Sequence, residues 1–193
     1  MNESALSRRP ELLVAAAGLG VGVATAVGQT YLDGALNALV NSVSAWLVAA
    51  FLVGSRMRSD RGAMVAGLCV CALQLVGYYA TAELRGFALG GTALIVFWFG
   101  CAVAGGPVFG LAGRRWQLES PRGLGAAILA SAFFAEGVWT YAHEQHRYGT
   151  AALWLAIGSA IVLTLTRDRR WLVLTVPAAL LSELLLSRII ALT

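Results

Sequence analysis

Seven long apolar stretches, separated by short loops, occupy almost all of this 193-residue sequence. We predict membrane helices over the ranges 12–31, 35–54, 62–82, 88–112, 123–142, 150–166 and 171–192. Most of these ranges contain about 20 residues, which at about 1.5 Å per residue is enough to cross about 30 Å of hydrocarbon. The sequence therefore predicts an all-α membrane bundle of seven spans over 1–193, with no separate soluble domain.

Composition supports a lipid environment and argues against metal chemistry. The mean hydropathy is +0.74, and only 12% of the residues are charged, whereas soluble domains have about a quarter. The three cysteines, Cys69, Cys71 and Cys101, all fall within apolar spans and lack CxxC spacing, so neither a disulfide framework nor a zinc site is predicted. We expect no cofactor and no bound metal.

The arginines predict how the chain is oriented. Eleven of the 14 lie before the first span or in every second loop, while Arg85, Arg147 and Arg188 lie on the opposite side. The positive-inside rule then places the N-terminus in the cytoplasm and the C-terminus outside the plasma (inner) membrane of a bacterium. Because this rule accounts for the basic loops, we expect the lipid bilayer, and not nucleic acid, to be the partner of the chain.

The first span follows Arg8 and Arg9, as the apolar region of a signal peptide would. It is long for such a region and lacks a clear A-x-A cleavage site, so we interpret residues 1–34 as an N-terminal anchor helix. Its residues Ala16, Gly20, Ala24 and Gly28 form a ridge of small side chains at four-residue spacing. This ridge is suited to close packing, either within the bundle or against a partner membrane protein.

The remaining spans suggest three helical hairpins over 35–193. The second, fourth and sixth spans each carry one tryptophan, and these are Trp46, Trp98 and Trp154. In the span that follows each of them, one polar residue stands 13 or 14 residues after the arginine that precedes the span, and these residues are Gln74, Glu136 and Glu183. Two interpretations stay open: a true repeat, or chance similarity among apolar helices.

Glu136 and Glu183 are the strongest candidates for function. A carboxylate within a membrane helix costs roughly 2.5 to 3.5 kcal/mol on insertion scales, so each must gain a partner, a proton or water. The functional interpretation is that they line a solute or ion pathway. The structural alternative is that each makes a hydrogen-bonded contact that holds helices together.

Other polar residues predict a pocket in the outer half of the membrane. Asp33, Asn37 and Asn41 follow one another at four-residue spacing, which aligns them along one helix face. Gln74 and Tyr78 on the third span, together with both glutamates, are expected to meet this face, and the aromatic walls are expected to be Trp98 and Trp139. The hypothesis is that this pocket binds or transports a small polar or cationic solute, with Glu136 and Glu183 as its charge partners. The alternative is a structural or accessory membrane subunit that binds no solute.

Several other features are interpreted as structural or loop features and do not indicate a functional site. Gly105, Gly106 and Pro107 in the fourth span, and Pro177 in the seventh, predict passive kinks more readily than a broken helix at a transport site. His143, Glu144 and His146 lack HExxH spacing and are typical of a polar loop. No GxSxG, GxxxxGK or GxGxxG motif occurs, so we do not expect an enzyme.

Four segments resemble a group of small, uncharacterised integral-membrane proteins of actinobacteria, namely WLVAAFLVG (46–54), GYYA (77–80), GGPVFGLAG (105–113) and FAEG (134–137). The resemblance runs through most of the chain and implies a membrane protein, but no particular activity. The architecture is also similar to the substrate-binding subunits of vitamin uptake transporters. That resemblance implies a compact bundle, an outward-facing pocket and a small-residue helix face for a partner.

Overall fold

The computed structural model describes residues 10–166 and 168–190, and within these ranges it contains helices and no strands. In chain order the elements are α1 (Pro10–Tyr31), α2 (Gly34–Val40), α3 (Val43–Ser55), α4 (Asp60–Leu84), α5 (Thr92–Leu118), α6 (Leu124–Glu136), a π-helical segment (Gly137–Glu144), α7 (Tyr148–Leu165), a 3₁₀ turn (Arg169–Trp171) and α8 (Leu172–Ile190). The prediction of an all-α fold is confirmed.

Six helical stretches are long and apolar enough to cross a membrane, and the bent pair α2 and α3 makes a seventh if it counts as one span. The π-helical segment continues α6 to Glu144, and the 3₁₀ turn continues into α8. These helices indicate a multi-pass membrane protein. The end of the seventh predicted span, 191–192, lies outside the described residues.

The helices pack as two groups, which we call the N-terminal half (α1–α5) and the C-terminal half (α6–α8 with the π-helical segment). In the N-terminal half α4 packs against α1, α3 and α5, and α3 also packs against α5. Glycines allow this close approach: a Cβ atom on Gly54 would lie 2.1 Å from the carbonyl oxygen of Gly110. In the C-terminal half α6 packs against both α7 and α8, so it forms the core of that half.

The packing of the last two helices differs from the predicted third hairpin. The pairs α3–α4 and α5–α6 do pack together, but α8 packs along α6 and the π-helical segment rather than along α7. No residue of α8 is buried, so most of its surface faces outward. The sequence suggested a hairpin because α7 and α8 follow one another along the chain. In the structure, both helices pack against α6.

The helices are interrupted at a position that the sequence did not predict. Helix α5 continues through Gly106 and Pro107, and α8 continues through Pro177. The chain instead bends by 48° between α2 and α3, at Asn41 and Ser42. The side chain of Ser42 accepts a hydrogen bond from the backbone N–H of Ala45 and so begins α3 as its N-cap.

The arginine-bearing loops meet at one end of the bundle. Asp60, at the start of α4, binds Arg114 at 2.9 Å and Arg115 at 2.5 Å near the end of α5. At the opposite end, Arg85 donates to the carbonyl oxygen of Ala26 at 2.9 Å. The bundle therefore has an arginine-rich end and an opposite end, which we call the tyrosine end because Tyr31, Tyr78, Tyr79, Tyr141 and Tyr148 lie toward it.

Most of the predicted small-residue ridge of α1 faces away from the bundle, but its last member, Gly28, packs against Val40 of α2. Ala16, Gly20 and Ala24 are exposed, and nothing lies within 4 Å of a Cβ atom built on Gly20. The buried positions are instead Gly18 and Gly22, which pack against α4. Helix α1 thus uses one glycine face inside the bundle and leaves the other open.

Candidate functional site

A cavity of about 610 Å³ lies within the N-terminal half, between α1, α3, α4 and α5. The loop that joins α4 to α5 also borders it, which places the cavity toward the tyrosine end. The polar residues on its wall are Gln29, Thr30, Asn41, Ser42, Gln74 and Tyr78, and the other aromatic residues are Trp46, Tyr79, Phe87 and Trp98. This volume falls within the range of about 300 to 1,000 Å³ that is typical of small-molecule sites.

The wall of this cavity is neutral. Among the residues that the structure describes, no Asp, Glu, Arg or His lines it. Polar groups are supplied by side-chain amides and hydroxyls, and the rest of the wall is apolar or aromatic. Such a cavity provides hydrogen bonds and apolar contact, but no countercharge.

Gln74 holds the one side-chain polar atom on this wall that is buried and lacks a hydrogen-bond partner, considering the described part of the chain. Its side chain is 0% exposed, and Nε2 donates to the carbonyl oxygen of Trp46 at 3.0 Å. Its Oε1 atom has no partner. A buried acceptor left unpaired costs about 1 to 3 kcal/mol. Neighbouring side chains cover this atom in the structure, so a ligand donor would reach it only after those side chains shift.

The rim of the cavity is held by a chain of side-chain amides. Tyr78 donates its hydroxyl hydrogen to Gln29 Oε1 at 3.2 Å, and Gln29 Nε2 donates to Asn41 Oδ1. Asn37 supports the rim from outside the cavity, because its Nδ2 donates to the carbonyl oxygens of Gln29 at 3.1 Å and Leu32 at 2.9 Å. These contacts fix the end of α1 against α2.

Glu136 lies next to the helix break rather than on the cavity wall. The carboxylate is 4% exposed and accepts hydrogen bonds from the Ser42 hydroxyl at 2.7 Å and the Ser44 backbone N–H at 2.9 Å. The Ser44 hydroxyl and, at 3.4 Å, the Tyr141 hydroxyl also donate to it. Because the carboxylate faces the N-terminus of α3, the positive end of the helix dipole adds to its stabilisation.

Trp154 closes this buried polar cluster. Its indole Nε1 donates to the hydroxyl oxygens of Ser42 and Ser44, at 3.3 Å each, and its side chain is 0% exposed. The Tyr141 ring packs against it with the ring centroids 4.7 Å apart. Glu136 therefore has a full set of donors within the protein and joins α3 to α6.

Glu183 lies elsewhere, on the half-buried side of α8. It accepts a hydrogen bond from the Thr140 hydroxyl at 3.2 Å. Trp139 lies nearby and donates to Glu144 at 3.0 Å and to Ser187 at 3.2 Å. Neither Glu183 nor Trp139 lines the cavity.

The structure thus divides the nine predicted site residues into separate groups. Asn41, Gln74, Tyr78 and Trp98 line the cavity. Glu136 lies behind Ser42, and Asn37 lies behind the rim. Three residues are away from both places. Asp33 is exposed before α2, and Trp139 of the π-helical segment and Glu183 of α8 lie in the contact between those two elements.

Sequence reasoning missed Ser42 and Tyr141 as partners of Glu136. Ser42 stands before an apolar run, which is a helix-start signal, so the sequence did carry a sign that the second span begins again there. No comparable signal marks Tyr141, because it reaches Glu136 only after the π-helical segment widens the turn.

The fold and the cavity together define a class: a multi-pass helical membrane protein with a neutral internal cavity toward one end. The model of the family of unknown function DUF6518 matches residues 1–192, so the chain belongs to that family. No curated protein and no solved structure matches the chain.

Proposed function

We propose that this chain is a seven-span protein of the plasma membrane that binds or transports a small polar solute through the cavity, which opens on the outer side. The observation that carries the proposal is the Gln74 side chain, whose buried oxygen lacks a partner on the wall of a cavity of about 610 Å³. Once the side chains that cover this oxygen shift, a solute that donates a hydrogen bond there would satisfy it and exclude water from the aromatic wall.

The orientation is supported by the two ends of the bundle. The loops at the arginine-rich end belong in the cytoplasm by the positive-inside rule, and α2 with α3 then acts as one bent span. To test this orientation, we would place single cysteines in a cysteine-free background, using Gly149→Cys for the outer side and Arg58→Cys for the inner side. A membrane-impermeant maleimide applied to intact cells should label the first variant alone, and labelling of the second alone would reverse the topology.

The two glutamates contribute less to this proposal than the sequence suggested. Neither Glu136 nor Glu183 lines the cavity, so neither acts there as a direct charge partner of a solute. Glu136 is one hydrogen bond away, because Ser42 both lines the cavity and donates to its carboxylate. Its role in the proposal is to hold the α2–α3 break, which forms part of the wall.

A thermal-shift screen of the purified protein tests solute binding. Vitamins, amino acids, cations and small amines would be screened at acidic and neutral pH, since a ligand that binds only the folded state raises the melting temperature. Two half-buried cysteines offer a matched control: Cys101 lines the cavity, and Cys69 does not. Stabilisation should be lost in Cys101→Phe, which fills the cavity, and kept in Cys69→Phe. Absence of any stabilising compound, or equal loss in both variants, would contradict the proposal.

The alternative, an accessory subunit, is supported by the exposed face of α1. Ala16, Gly20 and Ala24 lie open on that face, where another membrane helix could approach closely. Gly20→Leu should then release a co-purifying membrane protein without unfolding the chain. Solute binding that persists in the isolated chain would favour the cavity instead.

A further inference from the structure

We infer that the cavity takes an uncharged ligand with a flat apolar body and one N–H or O–H group that donates a hydrogen bond to the Gln74 oxygen. This inference rests on the proposed function and names the class of solute. It replaces the cationic solute that the two intramembrane glutamates suggested.

Transfer of an ionised group from water into a low-dielectric site is unfavourable unless an opposite charge or several hydrogen bonds compensate for it. The cavity wall supplies no charged side chain from the described residues, and Glu136 already accepts from Ser42, Ser44 and Tyr141. A cation in the cavity would lose its hydration without gaining a counter-ion. Arg85 lies behind Ala26 and Phe87 of the wall, where it is engaged by the Ala26 carbonyl oxygen and the Phe87 ring, so an anion gains no direct partner from it and a neutral molecule is favoured.

The Gln74 amide has one acceptor oxygen and an NH2 group with two hydrogens, one of which is donated to the carbonyl oxygen of Trp46. The free atom, Oε1, only accepts. A site with such a buried acceptor discriminates against an analogue that lacks the matching donor, because the acceptor is then left unpaired beside the ligand.

Aromatic side chains determine much of the shape of the cavity. Trp46, Tyr79, Phe87 and Trp98 contribute ring surfaces to the wall, and the Trp46 and Tyr78 rings meet edge to face with their centroids 6.0 Å apart. Aromatic surfaces of this kind bury flat apolar groups well. The volume of about 610 Å³ leaves room for a two-ring compound.

Four naphthalene derivatives separate these requirements while keeping the ring constant. 2-Naphthamide is neutral and has an N–H donor, and methyl 2-naphthoate is neutral but has none. 2-Naphthoate is an anion, and 2-naphthylmethylamine is a cation at pH 7. Equilibrium binding to the purified chain would be followed by the quenching of tryptophan fluorescence and by thermal shift. We expect the amide to bind at least about tenfold more tightly than each of the other three, as one unmade hydrogen bond or one uncompensated charge requires.

Two variants connect this preference to Gln74. Gln74→Met keeps the side-chain length and should abolish the preference for the amide over the ester. Ser131→Ala is the control, because Ser131 is buried in the C-terminal half and donates to Thr175 at 2.7 Å, away from the cavity. That variant should keep the full preference. If Gln74→Met does not fold, the four compounds on the unmodified chain still decide the matter.

The outcomes separate the inference from the proposed function. Equal binding of amide and ester, or tighter binding of the cation or the anion, would overturn the inference while the cavity stays a binding site. If none of the four compounds binds but the wider screen finds a ligand that Cys101→Phe blocks, the inference fails alone. If no compound of either set binds, both fail.

Discussion

Each half of the bundle contains a buried polar side chain, and the two differ in how fully their polar atoms are paired. In the C-terminal half, Glu136 is surrounded by donors, and Trp154 fills the space beside it. In the N-terminal half, Gln74 is equally buried, but one of its atoms has no partner, and a cavity lies beside it. The Glu136 carboxylate therefore has its hydrogen-bond donors, while the oxygen of the neutral Gln74 amide has none.

This difference separates a structural polar site from a binding site. A buried carboxylate with several donors stabilises the contact between its helices, and it has little left to offer a solute. A buried acceptor without a donor costs free energy until a ligand supplies one. A polar residue within a membrane helix can stabilise a helix contact or bind a ligand, and its polarity alone does not distinguish these two roles.

The largest contrast should appear when a tryptophan is removed from each half. Trp154→Ala should reduce the free energy of unfolding by about 4 kcal/mol, because a fully buried ring is lost from a filled region. Trp98→Ala should cost only about 1 kcal/mol, because that ring is half-buried and already borders a cavity. Reversible unfolding in mixed micelles measures both. Equal losses would mean that the two halves are packed alike.

Removal of each glutamate tests whether the donors around Glu136 depend on it. Glu136→Ala should cost about 3 kcal/mol, because the Ser44 backbone N–H and one of the Ser42 and Ser44 hydroxyls would be left buried without an acceptor. The Tyr141 hydroxyl would keep the Ala38 carbonyl oxygen as its acceptor. Glu183→Ala is the matched change, and it should cost less than about 1 kcal/mol because Thr140 is its one hydrogen-bond partner among the described residues and is not fully buried. A smaller loss for Glu136 than for Glu183 would contradict the structural role assigned to Glu136.

Close packing of α3 against α5 can be tested at a glycine. Gly54→Ala should destabilise the fold by about 2 kcal/mol, since the new Cβ atom would meet the backbone of Gly110 at 2.1 Å. Gly20→Ala on the open face of α1 is the control, and it should be neutral or stabilising by up to about 1 kcal/mol. Thermal melting in detergent would rank the two. A tolerated Gly54→Ala would show that α3 and α5 are further apart than described.

The smallest effect is expected at Gln74 in the absence of ligand. Gln74→Met loses the hydrogen bond to Trp46 but also removes the unpaired oxygen, so the free energy of unfolding should change by less than about 1 kcal/mol. The same unfolding assay measures it, with Glu136→Ala as the reference for a large loss. A loss as large as that of Glu136→Ala would mean that the Gln74 oxygen has a partner in the resting protein.

Much of the fold could be predicted from the sequence because the length of each apolar stretch and the positions of the flanking arginines depend only on local sequence. The positions of the long helices follow directly from them. The break at Asn41 and Ser42 was missed because its apolar flanks look like one continuous span. The third hairpin was predicted from chain order, but the place of α8 depends on the surface of α6, which periodicity does not reveal.

The site was harder to predict because the sequence spacing indicates how deep a residue lies in the membrane, but not the direction in which its side chain points. Gln74, Glu136 and Glu183 stand at matching distances from their arginines, yet they face three different neighbours. A rotation of less than one turn decides whether a residue meets a cavity, a helix end or a neighbouring helix face. Asn41, Gln74, Tyr78 and Trp98 were placed together because they lie on adjacent helices, and the cavity contains all four.

The most direct test of the account is whether the cavity is open to water on the outer side. A chain with Cys69→Ser and Cys71→Ser keeps only Cys101, which lines the cavity, and the matched chain with Cys71→Ser and Cys101→Ser keeps only Cys69. An impermeant methanethiosulfonate added to intact cells should modify Cys101 and leave Cys69 unmodified. If Cys101 stays unmodified while Gly149→Cys reacts fully, the cavity is closed to the outside and the proposed binding site is contradicted.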